Sequence, residues 1–335
     1  MRTAVVIVNL GTPDEPTTGS VRKFLTQFLN DPRVIDLPWL GRKILVNGII
    51  VPFRASKSAR EYKKLWTEKG SPLKYITEGL KSKLQDALGA EADVFMGMRY
   101  QNPSLDSVLD EVKKKNYKKV VVVPLFPQYA SSSTGSVMEA VMKHMSRWWA
   151  LPELTIVNQF YDHPKLMDAY VSIGSRHQHE EYDHVLFSFH GLPVRQVDKV
   201  YEDGLCSDHN CEDGITADNH LCYKATCYYT AKTIAARLGI PSDKFTVCFQ
   251  SRLDQKWLEP FSDGVVEEMG KAGKKKLLVF SPAFVADCLE TIVEIGGEYQ
   301  EIFESFGGEK IQLVESLNEE PVWVDALATI VRERL

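Results

Sequence analysis

His190 closes an apolar run, His184 to Phe189 (HVLFSF), and is followed at once by Gly191-Leu192-Pro193. A histidine at a strand end, where the chain must turn, can take a proton or hold a divalent metal. A second apolar run, Lys276 to Phe280 (KLLVF), leads through Pro282 into an acidic series. At about 100° per residue Asp287, Glu290, Glu294, Glu298 and Glu301 fall on one narrow stripe, opposite Leu289, Ile292 and Val293. Taken alone, such a stripe is the solvated face of a helix. Beside His190, however, Glu290 and Glu294 make a nitrogen-plus-carboxylate set suited to a borderline metal such as Fe²⁺.

A second constellation is built from sulfur. Cys206, Cys211, Cys222 and Cys227 form C-x4-C-x10-C-x4-C in one Gly-, Asp- and Asn-rich segment. So close a set reads as metal ligands, and four thiolates accept Zn²⁺ or an iron–sulfur cluster alike. His209 and His220 lie in the same segment and can replace a ligand, whereas Cys248 reads as core. Arg99 and Tyr100 end another strand and can hold an anionic ligand. Trp257, in QSRLDQKWLEP, can line an aromatic pocket. His177, His179 and His184, with Glu180 and Glu181, read as a solvated loop.

The elements that must position these residues alternate between strand and helix. Thr3 to Leu10 (TAVVIVNL) and Lys118 to Leu125 (KKVVVVPL) are continuous apolar runs, as in parallel strands buried on both faces. The pattern restarts with a strand at Leu154 to Asn158. NLGTP (9–13) resembles FHGLP (189–193), and KKVVVVPLFP (118–127) resembles KKLLVFSPAF (275–284), at similar offsets in the two halves. This predicts two related βαβ domains. The first spans 1–150 and the second 151–319, with the second carrying His190, a Cys loop at 204–228 and an acidic helix at 285–301. A last helix, 320–335, is expected to pack on the first domain. In such folds ligands sit off the C-terminal strand ends, where FHGLP and SPAF both fall.

The 335 residues suffice for two cores, and 44% apolar with 25% charged residues is ordinary for a globular chain. A net charge of −5 argues against nucleic acid as the main partner. No apolar window is long enough to span a bilayer, and MRTAVVIVNLG reads as a strand rather than a signal peptide. A cytoplasmic location is expected, where cysteines serve as thiols or ligands. Val34 to Phe53 is apolar but cut by Pro38, Gly41, Arg42, Lys43 and Pro52; it reads as a core helix or as a greasy lip on a pocket or membrane surface. Neither G-x-G-x-x-G after the first strand nor a P-loop is present, so nucleotide binding loses its main support.

The chain resembles the ferrochelatases. The resemblance rests on VNLGTP (8–13), FLNDPRVID (28–36), MRY (98–100), PLFPQYASSSTGS (124–136), FSFHGLPVR (187–195), CFQSRLDQKWLEP (248–260) and SPAFVADCLETIVEI (281–295). It implies an α/β fold of two Rossmann-like domains, with parallel sheets flanked by helices and a porphyrin cleft between them. It implies insertion of Fe²⁺ into protoporphyrin IX, giving protohaem and releasing two protons. His190 is then the essential histidine and Glu290 its partner carboxylate, with Asp287 and Glu294 continuing the metal path. Leu10, Arg99, Tyr100, Tyr129 and Trp257 match positions near the porphyrin. Segment 34–53 matches a lip that implies peripheral contact with the cytoplasmic membrane.

Three departures stand out. Cys288 occupies a position where many members have His. The four-Cys segment replaces the usual G-D-P-Y-x-x-Q-C continuation. There is no C-terminal extension, where some members carry cluster cysteines. The resemblance therefore implies a [2Fe–2S] cluster on Cys206, Cys211, Cys222 and Cys227, with Zn²⁺ as the alternative. Rival readings are a related chelatase acting on coproporphyrin III or inserting cobalt, and a non-catalytic haem- or metal-binding sensor.

Overall fold

The computed structural model describes residues 3–202 and 204–335. Among the described residues eight strands form two all-parallel sheets of four. The first holds β1 (Thr3–Gly11), β2 (Asp93–Tyr100), β3 (Lys119–Pro124) and β4 (Glu153–Ile156) in the order β2-β1-β3-β4. The second holds β5 (His184–His190), β6 (Phe245–Gln250), β7 (Lys276–Phe280) and β8 (Lys310–Leu313) in the order β6-β5-β7-β8. Counted from its own first strand, each sheet has the same order. β1 is buried at all but one position, which explains why TAVVIVNL shows no polar alternation.

Shared topology gives the sequence likeness a structural meaning. NLGTP and FHGLP end the first strand of each sheet, while KKVVVVPLFP and KKLLVFSPAF contain the third. First and third strands are neighbours: β1 pairs with β3 and β5 with β7. The second strand lies on the other side of the first, so the chain reverses its lateral direction there. That switch point is where an open α/β sheet leaves a crevice at the carboxyl ends of its strands.

Two compact units result. One comprises the chain through Phe126, Ala130–Gln159 and Asn318–Leu335; the other comprises Pro127–Tyr129 and Phe160–Leu317. Each has its own core, Val6, Val8, Leu109 and Val122 in the first and Leu186, Val266, Val279, Ile295 and Phe303 in the second. In the first unit the helix Pro321–Arg332 lies against the helix Pro72–Leu88. Arg332 bonds Glu91 at 2.9 Å and the Ala87 carbonyl at 2.6 Å.

Several elements differ from the expectation. The strand expected at 154–158 to open the second sheet instead pairs with β3, because the backbone of Lys119–Val122 offers it a free parallel edge. The acidic helix starts later than 285. Residues 281–288 form turns, then Glu290–Tyr299 is π-helical and Gln300–Ser305 α-helical. Pro52 does not cut the apolar segment. Trp39–Lys43, a π-helical Ile44–Ile50 and Val51–Leu65 run on without a break, with Pro52 in the first turn after the π-helix. The wider π-turn precedes the position where a missing N–H would break an α-helix.

Candidate active site

β5 delivers His190 to the switch point of the second sheet. The imidazole Nδ1 lies 2.6 Å from the Gly191 carbonyl. A carbonyl only accepts, so Nδ1 carries a proton, and in the neutral ring the lone pair is on Nε2. Gly191 is required by close approach: a Cβ there would meet the Gln250 carbonyl at 2.8 Å and the Trp257 ring at 3.2 Å. The Gly191 N–H donates to that same carbonyl at 2.8 Å. Trp257 is held by the following loop, with Leu258 N–H on the Leu192 carbonyl at 2.9 Å. The rings of Trp257 and Phe284 both stand 6.3 Å from the imidazole, centroid to centroid.

The acidic series is sorted by the fold. Asp287, Glu290 and Glu294 are half-buried, whereas Glu298 and Glu301 are exposed. Asp287 precedes the helix, where it accepts from the Thr291 hydroxyl at 3.2 Å and from the Ser316 N–H at 3.3 Å. Glu294 accepts from the Tyr299 hydroxyl (2.9 Å), the Ser251 N–H (2.8 Å), the Ser251 hydroxyl (2.5 Å) and the Gln250 amide (3.2 Å). Ser251 takes φ +61° to do so, an uncommon conformation for a residue with a side chain. Burial and the Glu290 carboxylate beside it push the Cys288 thiol well up, so Cys288 stays protonated. Among the described residues no three of His190, Asp287, Glu290 and Glu294 bring ligand atoms within 4.8 Å of one another. They form no closed cage.

Gln250, which the sequence reading missed, connects the acidic series to the strands. It is 1% exposed, and its amide nitrogen donates to the Glu290 carbonyl at 3.0 Å as well as to Glu294. Its amide oxygen accepts from Ser188 of β5 at 2.8 Å and from Ser281 after β7 at 3.4 Å. A Gln after the apolar run TVCF was the one available sign of a polar group held at a strand end.

The candidates in the first unit fare differently. Tyr100 is only 3% exposed and offers no surface to a ligand. Its hydroxyl donates to Asp31 at 2.9 Å, and burial with the Asp31 charge pushes its pKa well up. Arg99 is paired with the same carboxylate at 2.7 Å and donates to Ser136. The two residues expected to hold an anionic ligand therefore satisfy the buried Asp31, which the sequence reading left without a role. Leu10 is half-buried beside Gly11, whose φ of +110° and contact with the Tyr100 carbonyl exclude a side chain. In the second unit Tyr129 is half-buried, and its neighbour Gln128 donates to Thr230 at 3.1 Å.

The cysteine segment closes on itself. The sulfurs of Cys206, Cys211 and Cys222 are buried and stand 3.5–3.6 Å apart. Thiolates around one tetrahedral metal sit about 3.8 Å apart, from bonds of about 2.3 Å, so the trio fits a thiophilic metal. Hydrogen bonds from Cys206 and Cys211 pull the Cys222 thiol down, and the Tyr201 hydroxyl and Ala225 N–H add to this. Cys227 is fully buried but lies outside the trio. His209 stacks on Tyr201 at 3.9 Å, and His220 contacts the Ala217 carbonyl at 2.7 Å; neither joins the trio.

The family model for ferrochelatase matches residues 2–335. The chain belongs to the ferrochelatase family. A ferrochelatase of Coxiella burnetii (strain CbuG_Q212) is 40% identical over 99% of this chain and 93% of its own length. One from Legionella pneumophila (strain Lens) is 41% identical over the full length of both. Among solved structures, SirB from Bacillus subtilis with Fe³⁺ covers 99% of this chain and 95% of its own at a TM-score of 0.57 and 12% identity. At that identity the likeness is one of fold.

Proposed function

We propose that His190 is the base that accepts pyrrole protons while Fe²⁺ enters the porphyrin, with Glu290, Glu294 and Asp287 as the metal's path. Family membership makes the chain an enzyme that inserts Fe²⁺ into protoporphyrin to make haem. A free porphyrin carries two pyrrole N–H protons, and both must leave as the metal enters. The observation that carries the reading is the Nδ1 contact with the Gly191 carbonyl, which leaves Nε2 as the ring's acceptor. The Trp257 and Phe284 rings beside it supply flat apolar surface for a macrocycle. A set of carboxylates without a closed cage suits a cargo metal, because it replaces water stepwise without trapping the ion.

The cysteine segment is proposed to hold a metal centre on Cys206, Cys211 and Cys222, with Cys227 as fourth ligand of a [2Fe–2S] cluster. Bound there, a cluster supplies one-electron redox chemistry, while Zn²⁺ would supply only a fixed cross-link. The exposed lip is proposed to rest on a membrane surface.

Anaerobic assay of the purified protein with Fe²⁺ tests the substrate, protoporphyrin IX and coproporphyrin III being compared side by side. Haem formation from protoporphyrin at the higher kcat/KM is expected; preference for coproporphyrin overturns the substrate assignment. The same preparation is analysed for iron, zinc and sulfide. Iron with matching sulfide is expected, and zinc without sulfide rejects the cluster.

A further inference from the structure

We propose that Tyr223 is a positioning residue that ties the geometry of the cysteine segment to the His190 imidazole. Tyr223 directly follows Cys222 and opens the helix Tyr223–Leu238, with Cys227 one turn on. Its hydroxyl donates to the His190 carbonyl at 2.9 Å. Tyr223 is 7% exposed, so water does not substitute freely for this contact. Tyr223 thus joins a cysteine of the segment through the backbone and the carbonyl of the base through its hydroxyl.

The His190–Gly191 peptide is pinned from two elements. Its carbonyl is held by Tyr223, and its N–H by the Gln250 carbonyl at 2.8 Å. Pinning matters because the next residue is glycine, whose backbone torsions are the least restricted of any residue. The 2.6 Å contact between Nδ1 and the Gly191 carbonyl spans those same torsions. If the His190 carbonyl is released, the peptide can rotate and the Nδ1 proton loses its fixed acceptor. The imidazole then populates both tautomers, and only one of them presents an unprotonated Nε2. A shift of Cys222 or Cys227 moves the first turn of the helix that carries Tyr223, and so reaches His190 through this hydroxyl.

For its effect on rate, this inference rests on His190 as the base; its effect on the tautomer does not. The test is nitrogen NMR of histidine-labelled protein without substrates, with the His190 signals assigned by their loss in His190→Ala. The Nδ1-protonated tautomer is expected to dominate in the parent, and Tyr223→Phe to move the signals toward a mixture. Cys206→Ser is expected to cause a shift of the same sign, with no further shift when added to Tyr223→Phe; Cys211→Ser serves if Cys206→Ser does not fold. Tyr223→Phe should also lower kcat about five-fold at unchanged KM for protoporphyrin IX, the worth of one neutral hydrogen bond. Unchanged His190 signals in Tyr223→Phe overturn the proposal, as does a cysteine variant that shifts them equally with and without the hydroxyl. Failure of His190 as the base would leave the tautomer results standing and remove only the rate effect.

Discussion

Asp31 and Glu294 show how donors decide what a carboxylate can do. Asp31, 6% exposed, accepts from Arg99, Tyr100 and Ser136 and stabilises the first unit. Glu294, half-buried with four donors, is fixed in place at the end of β6. His184 at the start of β5 gives a prediction at this scale. Burial, helped by Lys274 and Lys244, holds its pKa below the ordinary value, and its Nε2 meets the Thr246 hydroxyl at 2.9 Å. The unfolded chain takes up a proton near about pH 6.5 that the folded strand resists. Stability should therefore hold above that pH and fall as pH drops below it, and His184→Gln should flatten that part of the slope. Unfolding midpoints measured between about pH 7.5 and 5.5 check this; an unchanged slope in the variant contradicts it. His190 stood out in the sequence because it ends an apolar strand run, and Glu290 because it belongs to the acidic series that follows another. Gln250, Ser251 and Tyr223 were not legible, because their partners come from segments 31 to 62 residues away.

At the scale of elements, the long strands were readable because runs such as TAVVIVNL admit little else. The π-helices were not. Their residues have the same composition as an α-helix, and the extra residue per turn is set by packing. The lip is the clearest instance. Trp39, Leu40, Ile44, Ile49 and Phe53 are exposed, Phe53 by 82%, so the core-helix alternative fails. Arg42 is instead buried, its guanidinium on the Leu37 carbonyl at 2.7 Å, which holds the turn that starts the rod. Exposed Arg54, Lys57 and Arg60 follow the apolar residues. Apolar side chains next to basic ones suit an anionic lipid surface. Co-sedimentation with phosphatidylglycerol vesicles is expected for the parent chain and strongly reduced for Trp39→Asp/Phe53→Asp. Equal binding by both would remove the membrane role from the lip.

Across the whole molecule, two sheets with one strand order place equivalent strand ends at equivalent points, yet the halves have diverged in use. The first half's switch point carries Leu10-Gly11, and the second half's carries His190-Gly191. No helix among the described residues is long and apolar enough to cross a membrane. The repeat was legible from two short motif pairs because strand-end turns constrain residue type. The unit limits were less so, since the 153–156 strand joins its sheet by backbone pairing that leaves little trace in side chains. In the proposed reaction the second half's switch point supplies the base. This is tested most directly by the anaerobic initial rate of Fe²⁺ insertion into protoporphyrin IX by a folded His190→Ala variant. A fall in kcat of about 100-fold or more is expected, as loss of a positioned general base brings. A rate close to that of the parent would contradict it.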